Sequence, residues 1–287
     1  MSFEILTDSC SNLTEELIEK YNINIIPLSF FVDDEEFIGY IKGESQDSVK
    51  FYNMMREGKV VKTSLANPTK YSDLIEDIFK RGNDILYIGF SSALSGTYKN
   101  VENYLTDLLE EYSDRKVKCV DTLSACFGEG MLVVDAAKMK EQGKSLEETA
   151  EWLEENKLKQ CHWFTVDDLK YLKRGGRVSA TSAILGTVLQ IKPVMHVDNE
   201  GRLVPVEKVK GRKASLLKLA DNMERLYDNV SDVYISHGDC IQDAEFLKNE
   251  VEKRFNLKDI VINVIDPVIG AHSGPGTMAI FFKGTER

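Results

Sequence analysis

Residues 85–100 read Ile-Leu-Tyr-Ile-Gly-Phe-Ser-Ser-Ala-Leu-Ser-Gly-Thr-Tyr-Lys-Asn. The run Ile85–Phe90 is short and almost wholly apolar, which predicts a buried strand. A hydroxyl-rich turn follows, with one glycine, and a helix is predicted from Thr97 to Tyr112. Strand, short turn and helix in that order make half of a parallel βα unit.

The same alternation extends in both directions. Upstream, Phe3–Leu6 predicts a strand, Asn12 with Glu15 a capped helix start, and Ile23–Val32 a second buried strand. Asn67-Pro68 opens a helix whose apolar residues Tyr71, Leu74, Ile75, Ile78 and Phe79 share one face, and Gly82 stops it. Downstream come a strand at Val117–Val120, a helix at Ala125–Gln142 and a capping box at Ser145-x-x-Glu148. Past residue 160 the pattern changes. Ile191–Val197 and Leu203–Val209 flank the turn Asp198-Asn199-Glu200-Gly201, a hairpin signal. Helix–strand units and a last strand at Met278–Lys283 follow. The reading is an α/β protein of two domains. Residues 1–158 form an N-terminal α/β domain on a parallel sheet, and residues 159–287 a C-terminal α/β domain on a mixed sheet.

Composition excludes several classes. A chain of 287 residues exceeds the usual size of a single core. Its net charge of −11 leaves no basic footprint for nucleic acid or an anionic membrane. No apolar run is long enough for a transmembrane segment. The first eight residues read as a strand and not as a signal peptide, so the expected location is cytoplasmic. Five scattered cysteines and four single histidines offer neither a disulfide framework nor a metal site.

Candidate chemistry collects where the predicted strands end. Thr7-Asp8-Ser9, Thr63-Ser64, Ser91–Tyr98 and Asp121-Thr122 all follow strands or precede helices. In an open parallel sheet such loops meet along one edge. Hydroxyls and free N–H groups at helix starts favour an anion there, although each residue alone also serves as a cap. A second cluster, Gly270-Ala271-His272-Ser273-Gly274-Pro275-Gly276, predicts a shaped loop between strands around one histidine. A third, Tyr171–Ser179, is a basic island on an acidic chain.

In this order, Thr7-Asp8-Ser9, Thr63-Ser64 with Pro68, Ser92–Tyr98, Asp121-Thr122, Leu172–Ser179, Ile191-Lys192-Pro193 and His272–Gly276 resemble the DegV family of bacterial fatty-acid-binding proteins, over essentially the whole chain. Leu65 departs from the family pattern, which usually has glutamine there. The resemblance implies a two-domain α/β fold with one long-chain fatty acid as ligand, no other cofactor and no metal. It implies that Thr63, Ser95, Gly96, Thr97 and His272 hold the carboxylate near the domain junction. The implied role is that of a lipid-binding subunit that is not itself an enzyme. It would present the carboxylate to a separate ATP-dependent fatty acid kinase that makes an acyl phosphate for phospholipid synthesis. Ile184, Leu185, Val188, Leu189 and Phe281 are candidates for the acyl slot. Arg174, Arg177 and Arg202 are candidates for docking the kinase. A reading from another class stays open: a serine hydrolase or acyltransferase using Ser95 with His272, which needs a group to orient the histidine.

Overall fold

The computed structural model describes residues 2–44, 47–178, 190–228, 232–255, 257 and 260–287. Among these the chain forms strands β1 (Phe3–Asp8), β2 (Asn24–Ile26), β3 (Ser29–Val32), β4 (Glu35–Ile38), β5 (Val61–Thr63), β6 (Asp84–Gly89) and β7 (Val117–Asp121). They continue with β8 (Gln160–Thr165), β9 (Ile191–Val197), β10 (Leu203–Lys210), β11 (Tyr234–His237), β12 (Val261–Val264) and β13 (Met278–Lys283). One sheet, ordered β2-β1-β6-β7, is parallel throughout. A second, ordered β10-β9-β8-β13-β11-β12, is mixed, since only β11 and β12 run parallel. This is the α/β architecture expected of the sequence.

Three local expectations are corrected. Ile23–Val32 is not one strand. Pro27 lacks an N–H and ends the ladder, so β2 stays in the parallel sheet while β3 turns into a separate antiparallel sheet, β4-β3-β5, that the sequence reading missed. Asn12 does not open the helix that follows; it ends the short 3-10 turn Ser9–Ser11 instead. Thr14 opens that helix, its Oγ1 accepting from Leu17 N–H at 3.3 Å. Asn12 itself is left-handed, with φ 56°, and its amide reaches across the molecule. Its Nδ2 donates to Ser236 Oγ (3.2 Å) and its Oδ1 accepts from Asp266 N–H (2.7 Å). Finally, His272 lies on a short helix, Pro267–Ser273, and not in a loop. Asp266 caps that helix by accepting from Val268 N–H at 2.7 Å, Pro267 occupies its first turn, and Gly274, at φ +85°, ends it.

The helix Phe127–Glu141 holds the two large sheets together. It is buried along most of its length and packs on β1 and β6 from one side and on β8, β11 and β13 from the other. A helix apolar on nearly every side belongs between layers. The next helix, Leu146–Asn156, carries the capping box read from the sequence, with Glu148 N–H donating to Ser145 Oγ (3.1 Å) and Ser145 N–H to Glu148 Oε2 (2.9 Å). Among the described residues no helix is long and apolar enough to cross a membrane.

Candidate functional site

Thr63 closes β5, which pairs with β3, and so stands at a strand end. The helix Pro267–Ser273 brings His272 to it from 209 residues away, and Thr63 Oγ1 and His272 Nε2 share a 2.8 Å hydrogen bond. Gly175 makes room for the ring: a Cβ there would fall 2.3 Å from His272 Nδ1. Burial, with Arg177 and Arg174 close by, pushes the His272 pKa down to about 4. The imidazole is therefore neutral near pH 7, and its Nδ1 is buried without a partner.

The loop after β6 meets this pair. Ser95 Oγ donates to Thr97 Oγ1 (3.1 Å) and accepts from Thr97 N–H (3.2 Å), while Ala66 N–H donates to Thr97 Oγ1 (3.4 Å). Thr97 thus ties the loop carrying Ser95 to the loop that follows Thr63. Arg177 closes the group, its Nε donating to the Leu94 carbonyl at 3.1 Å. The hairpin turn joins from the side, where Ser91 Oγ donates to the Gly201 carbonyl at 2.9 Å.

Behind these groups lies a cavity of about 220 Å³. Thr63, Ser64, Ser95, Thr97, Arg177 and His272 are among its polar lining. Leu28, Leu94, Leu172, Val268 and Phe281 are among its apolar walls. Its floor is the face of β8 and β13 that carries His162, Phe164, Ala279 and Phe281, under the helix Phe127–Glu141. The arrangement suits a small amphiphile: a cluster of hydrogen-bonding groups at one end and a slot through hydrophobic core at the other.

Of the residues singled out in the sequence, Thr63, Ser95, Thr97, His272, Arg177 and Phe281 line this one cavity. Gly96 does not. It is exposed and lies against Leu65. Arg174 is exposed, with its guanidinium carbon 5.3 Å from the centre of the Tyr171 ring. Arg202 is exposed at the end of the hairpin turn. Ile184, Leu185, Val188 and Leu189 lie outside the described residues. The contact needed for serine chemistry is not made, because His272 Nε2 bonds Thr63 while Ser95 bonds Thr97. Sequence reasoning missed His162, Phe164 and Ala279. Strand alternation pointed at Ala279 once Phe281 was chosen. The partnership of β13 with β8 had no local signal.

A family model described as "Uncharacterised protein, DegV family" matches residues 2–284. A DegV domain-containing protein of Clostridium perfringens is 44% identical over 284 residues, covering 98% of this chain and 97% of that one. The chain belongs to the DegV family. Several solved DegV structures share its fold. The match to a fatty-acid-binding DegV family protein of Thermus thermophilus has a TM-score of 0.87 at 26% identity, covering 99% of this chain and 100% of the other. A fatty acid binding DegV family protein from Streptococcus agalactiae gives 0.86 at 27%, with both chains fully covered. DegV of Bacillus subtilis, described as a fatty acid binding protein, gives 0.83 at 26%, covering 99% and 100%.

Proposed function

We propose that this DegV protein binds one long-chain fatty acid, its carboxylate held by Thr63, Ser95, Thr97 and His272 with help from the backbone around Gly96. The observation that carries this reading is the opening of one hydroxyl–imidazole cluster into one apolar slot. A carboxylate accepts several charge-assisted hydrogen bonds, and with the neutral His272 donating Nε2–H to Thr63 Oγ1 the Thr63 hydroxyl proton is left free for it. The tail contributes roughly 0.8 kcal/mol per buried methylene, so ~15 methylenes give about 12 kcal/mol gross, reduced by the cost of ordering the ligand. Phe281 lines the slot in this reading, and Ile184, Leu185, Val188 and Leu189 are proposed to complete it. The fatty-acid-binding relatives support the assignment. We divide the chain at residues 158 and 159, between the helix Leu146–Asn156, which packs on β7, and β8, an inner strand of the mixed sheet.

The carboxylate end is near Arg174 and Arg177, and the hairpin turn that carries Arg202 is bonded to the same loops. These cations are proposed to dock a separate ATP-dependent fatty acid kinase, to which the chain presents the carboxylate as a binding partner and not as the catalyst. Positive charge at the mouth would raise association with an acidic surface. The test has two parts. Native mass spectrometry of the purified protein should show a fatty acid at about one per chain. Protein that is empty and ignores added palmitate and oleate in a thermal shift assay would overturn the ligand assignment. Kinase turnover measured against carrier concentration should fall for Arg174→Glu and Arg202→Glu at low salt. Normal turnover by both would remove the docking role and leave the ligand assignment standing.

A further inference from the structure

The hairpin between β9 and β10 is held to the rest of the molecule by one buried cation. The Arg287 guanidinium has five N–H donors in a rigid planar fork, and it makes five hydrogen bonds. Nε donates to the Gln160 carbonyl (3.0 Å) and Nη2 to the Lys157 carbonyl (2.8 Å), at and just before the start of β8. Nη1 donates to the carbonyls of Leu123 (2.7 Å) and Asp198 (3.0 Å), and Nη2 also donates to Ser124 Oγ (2.9 Å). Every one of these partners is a carbonyl or a hydroxyl and none is a carboxylate. Burial lowers the Arg287 pKa from 12.5 to about 10, so the group stays charged near neutral pH. A buried cation is costly unless its hydrogen bonds are met, and here they are met by three separate chain segments. Two of those segments touch again beside it. Ser91 Oγ donates to the Gly201 carbonyl at 2.9 Å. Gly201, at φ +77°, leaves no room for a side chain, since a Cβ would fall 2.3 Å from Ser91 Oγ and 3.0 Å from Leu123 Cα.

What this clasp holds is a wall of the cavity. Val197 and Leu203, cross-strand partners at the base of the turn, line the cavity, and so does Ala125, which follows Ser124 in the chain. Trp163 pairs with His196, which sets Val197 beside His162 at the next step of the register, and His162 pairs with Phe281. Leu203, Val197, His162 and Phe281 therefore form one row across β10, β9, β8 and β13, and all four line the cavity. The distance of that row from the polar end can be read from the strand. Thr277 Oγ1 donates to the carbonyls of Ser273 and Gly274, at the end of the helix that carries His272. Phe281 lies four residues further on, ~13 Å at the rise of a strand. The row and the hairpin turn thus stand at the end of the slot remote from the hydroxyl–imidazole cluster.

We propose that Arg287 is a positioning residue for the acyl slot: by clasping the hairpin turn to the loop after β7 it fixes the end wall of Val197, Leu203 and Ala125, and with it the longest tail the slot accepts. This rests on the fatty-acid reading of the cavity. The probes are the saturated acids from laurate to arachidate in a competition binding assay. Each methylene that enters apolar surroundings tightens binding about fourfold, so wild-type affinity should climb with chain length and stop climbing at the length that meets the wall. In Arg287→Ala that break should move to longer chains, with a gain of about tenfold over wild type for the acid two carbons past the wild-type break. The preference for palmitate over 1-hexadecanol reads the head group and should stay as in wild type, because Ser91 N–H still holds its loop through the Ser124 carbonyl (2.9 Å). Should Arg287→Ala fail to fold, Arg287→Lys decides the matter. It keeps the charge, but three donors on one nitrogen cannot replace five in a fork, so its break should move as well. A wild type with no break, a break unmoved in whichever variant folds, or an equal loss for every acid and for hexadecanol overturns the proposal. Absence of binding at every chain length would overturn the fatty-acid reading, and this proposal with it.

Discussion

The two ends of the cavity are built by different parts of the fold. At the polar end, loops that follow β5 and β6 and a short helix bring Thr63, Ser95, Thr97 and His272 together, and these side chains bond to one another or to nearby loop backbone. At the floor, the lining comes from facing positions of two paired strands in the middle of the six-stranded sheet, His162 and Phe164 on β8 with Ala279 and Phe281 on β13. Each end has a histidine whose burial disfavours the proton. His272 has a partner in Thr63, whereas His162 has none of normal geometry. A group on a loop end can be replaced with local consequences. A group on the floor is held by sheet register and by the helix above it, so a change there is felt by the core.

The largest effect expected from this contrast is on stability. Phe281 is 2% exposed and packs against the rings of Phe127 and His162. Phe281→Ala should lower the unfolding free energy by about 3–5 kcal/mol, measured by chemical denaturation. A loss below ~1 kcal/mol would mean that the floor is soft and the contrast misplaced.

At the polar end the loss should appear in affinity instead. Thr63→Val and Ser95→Ala should each weaken palmitate binding by about 1.5–3 kcal/mol, the worth of a hydrogen bond to a charged group. Their thermal midpoints should stay much closer to wild type than that of Phe281→Ala. Titration calorimetry alongside thermal unfolding separates the two quantities, and unchanged affinity in both variants would put the head group elsewhere.

Acidity sharpens the comparison with a change of sign. Burial depresses the His272 pKa from 6.5 to about 4, so between those values the unfolded chain takes up a proton that the folded one refuses. Stability from this group is lost as pH falls through that window. Asp266, which caps the helix carrying His272, runs the other way. Burial, with Asp8 adding to it, raises its pKa from 3.8 to about 8, so its folded form keeps a proton that the unfolded chain has released, and stability falls as pH rises across that range. His272→Gln should therefore gain on wild type as pH drops from 6.5 to 4, and Asp266→Asn should gain as pH climbs from 4 to 8. Denaturation at a series of pH values checks both slopes. Parallel curves for wild type and both variants would contradict the assigned burial.

The smallest effect belongs to the exposed cations. Arg174→Glu and Arg202→Glu should change palmitate affinity and thermal stability by less than ~0.5 kcal/mol each, because isolated surface charges contribute little. A large loss of palmitate affinity would make them part of the head-group site and not of a surface beside it.

Local sequence determined a good deal of this protein. The apolar run at Ile85–Phe90 and the glycine-bearing turn after it marked a βα unit. The Ser145–Glu148 capping box, the Asp198–Gly201 hairpin turn and the last strand were legible because hydrogen bonding within a few residues and the 2.0 and 3.6 periods decide them. The ordered motifs also pointed to Thr63, Ser95 and His272. Local pattern failed where a distant partner set the outcome. Pro27 divides what reads as one strand, because β2 and β3 pair with different sheets. Asn12 looked like the cap that opens a helix, but its amide is bonded to Ser236 and Asp266. The bond between Thr63 and His272 spans 209 residues, and the orphaned nitrogens of His162 became visible only once β13 and the helix Phe127–Glu141 had closed over them. Propensity acts over a few residues, whereas a cavity exists only where chain segments remote in sequence enclose the same space, so its chemistry was decided by tertiary structure.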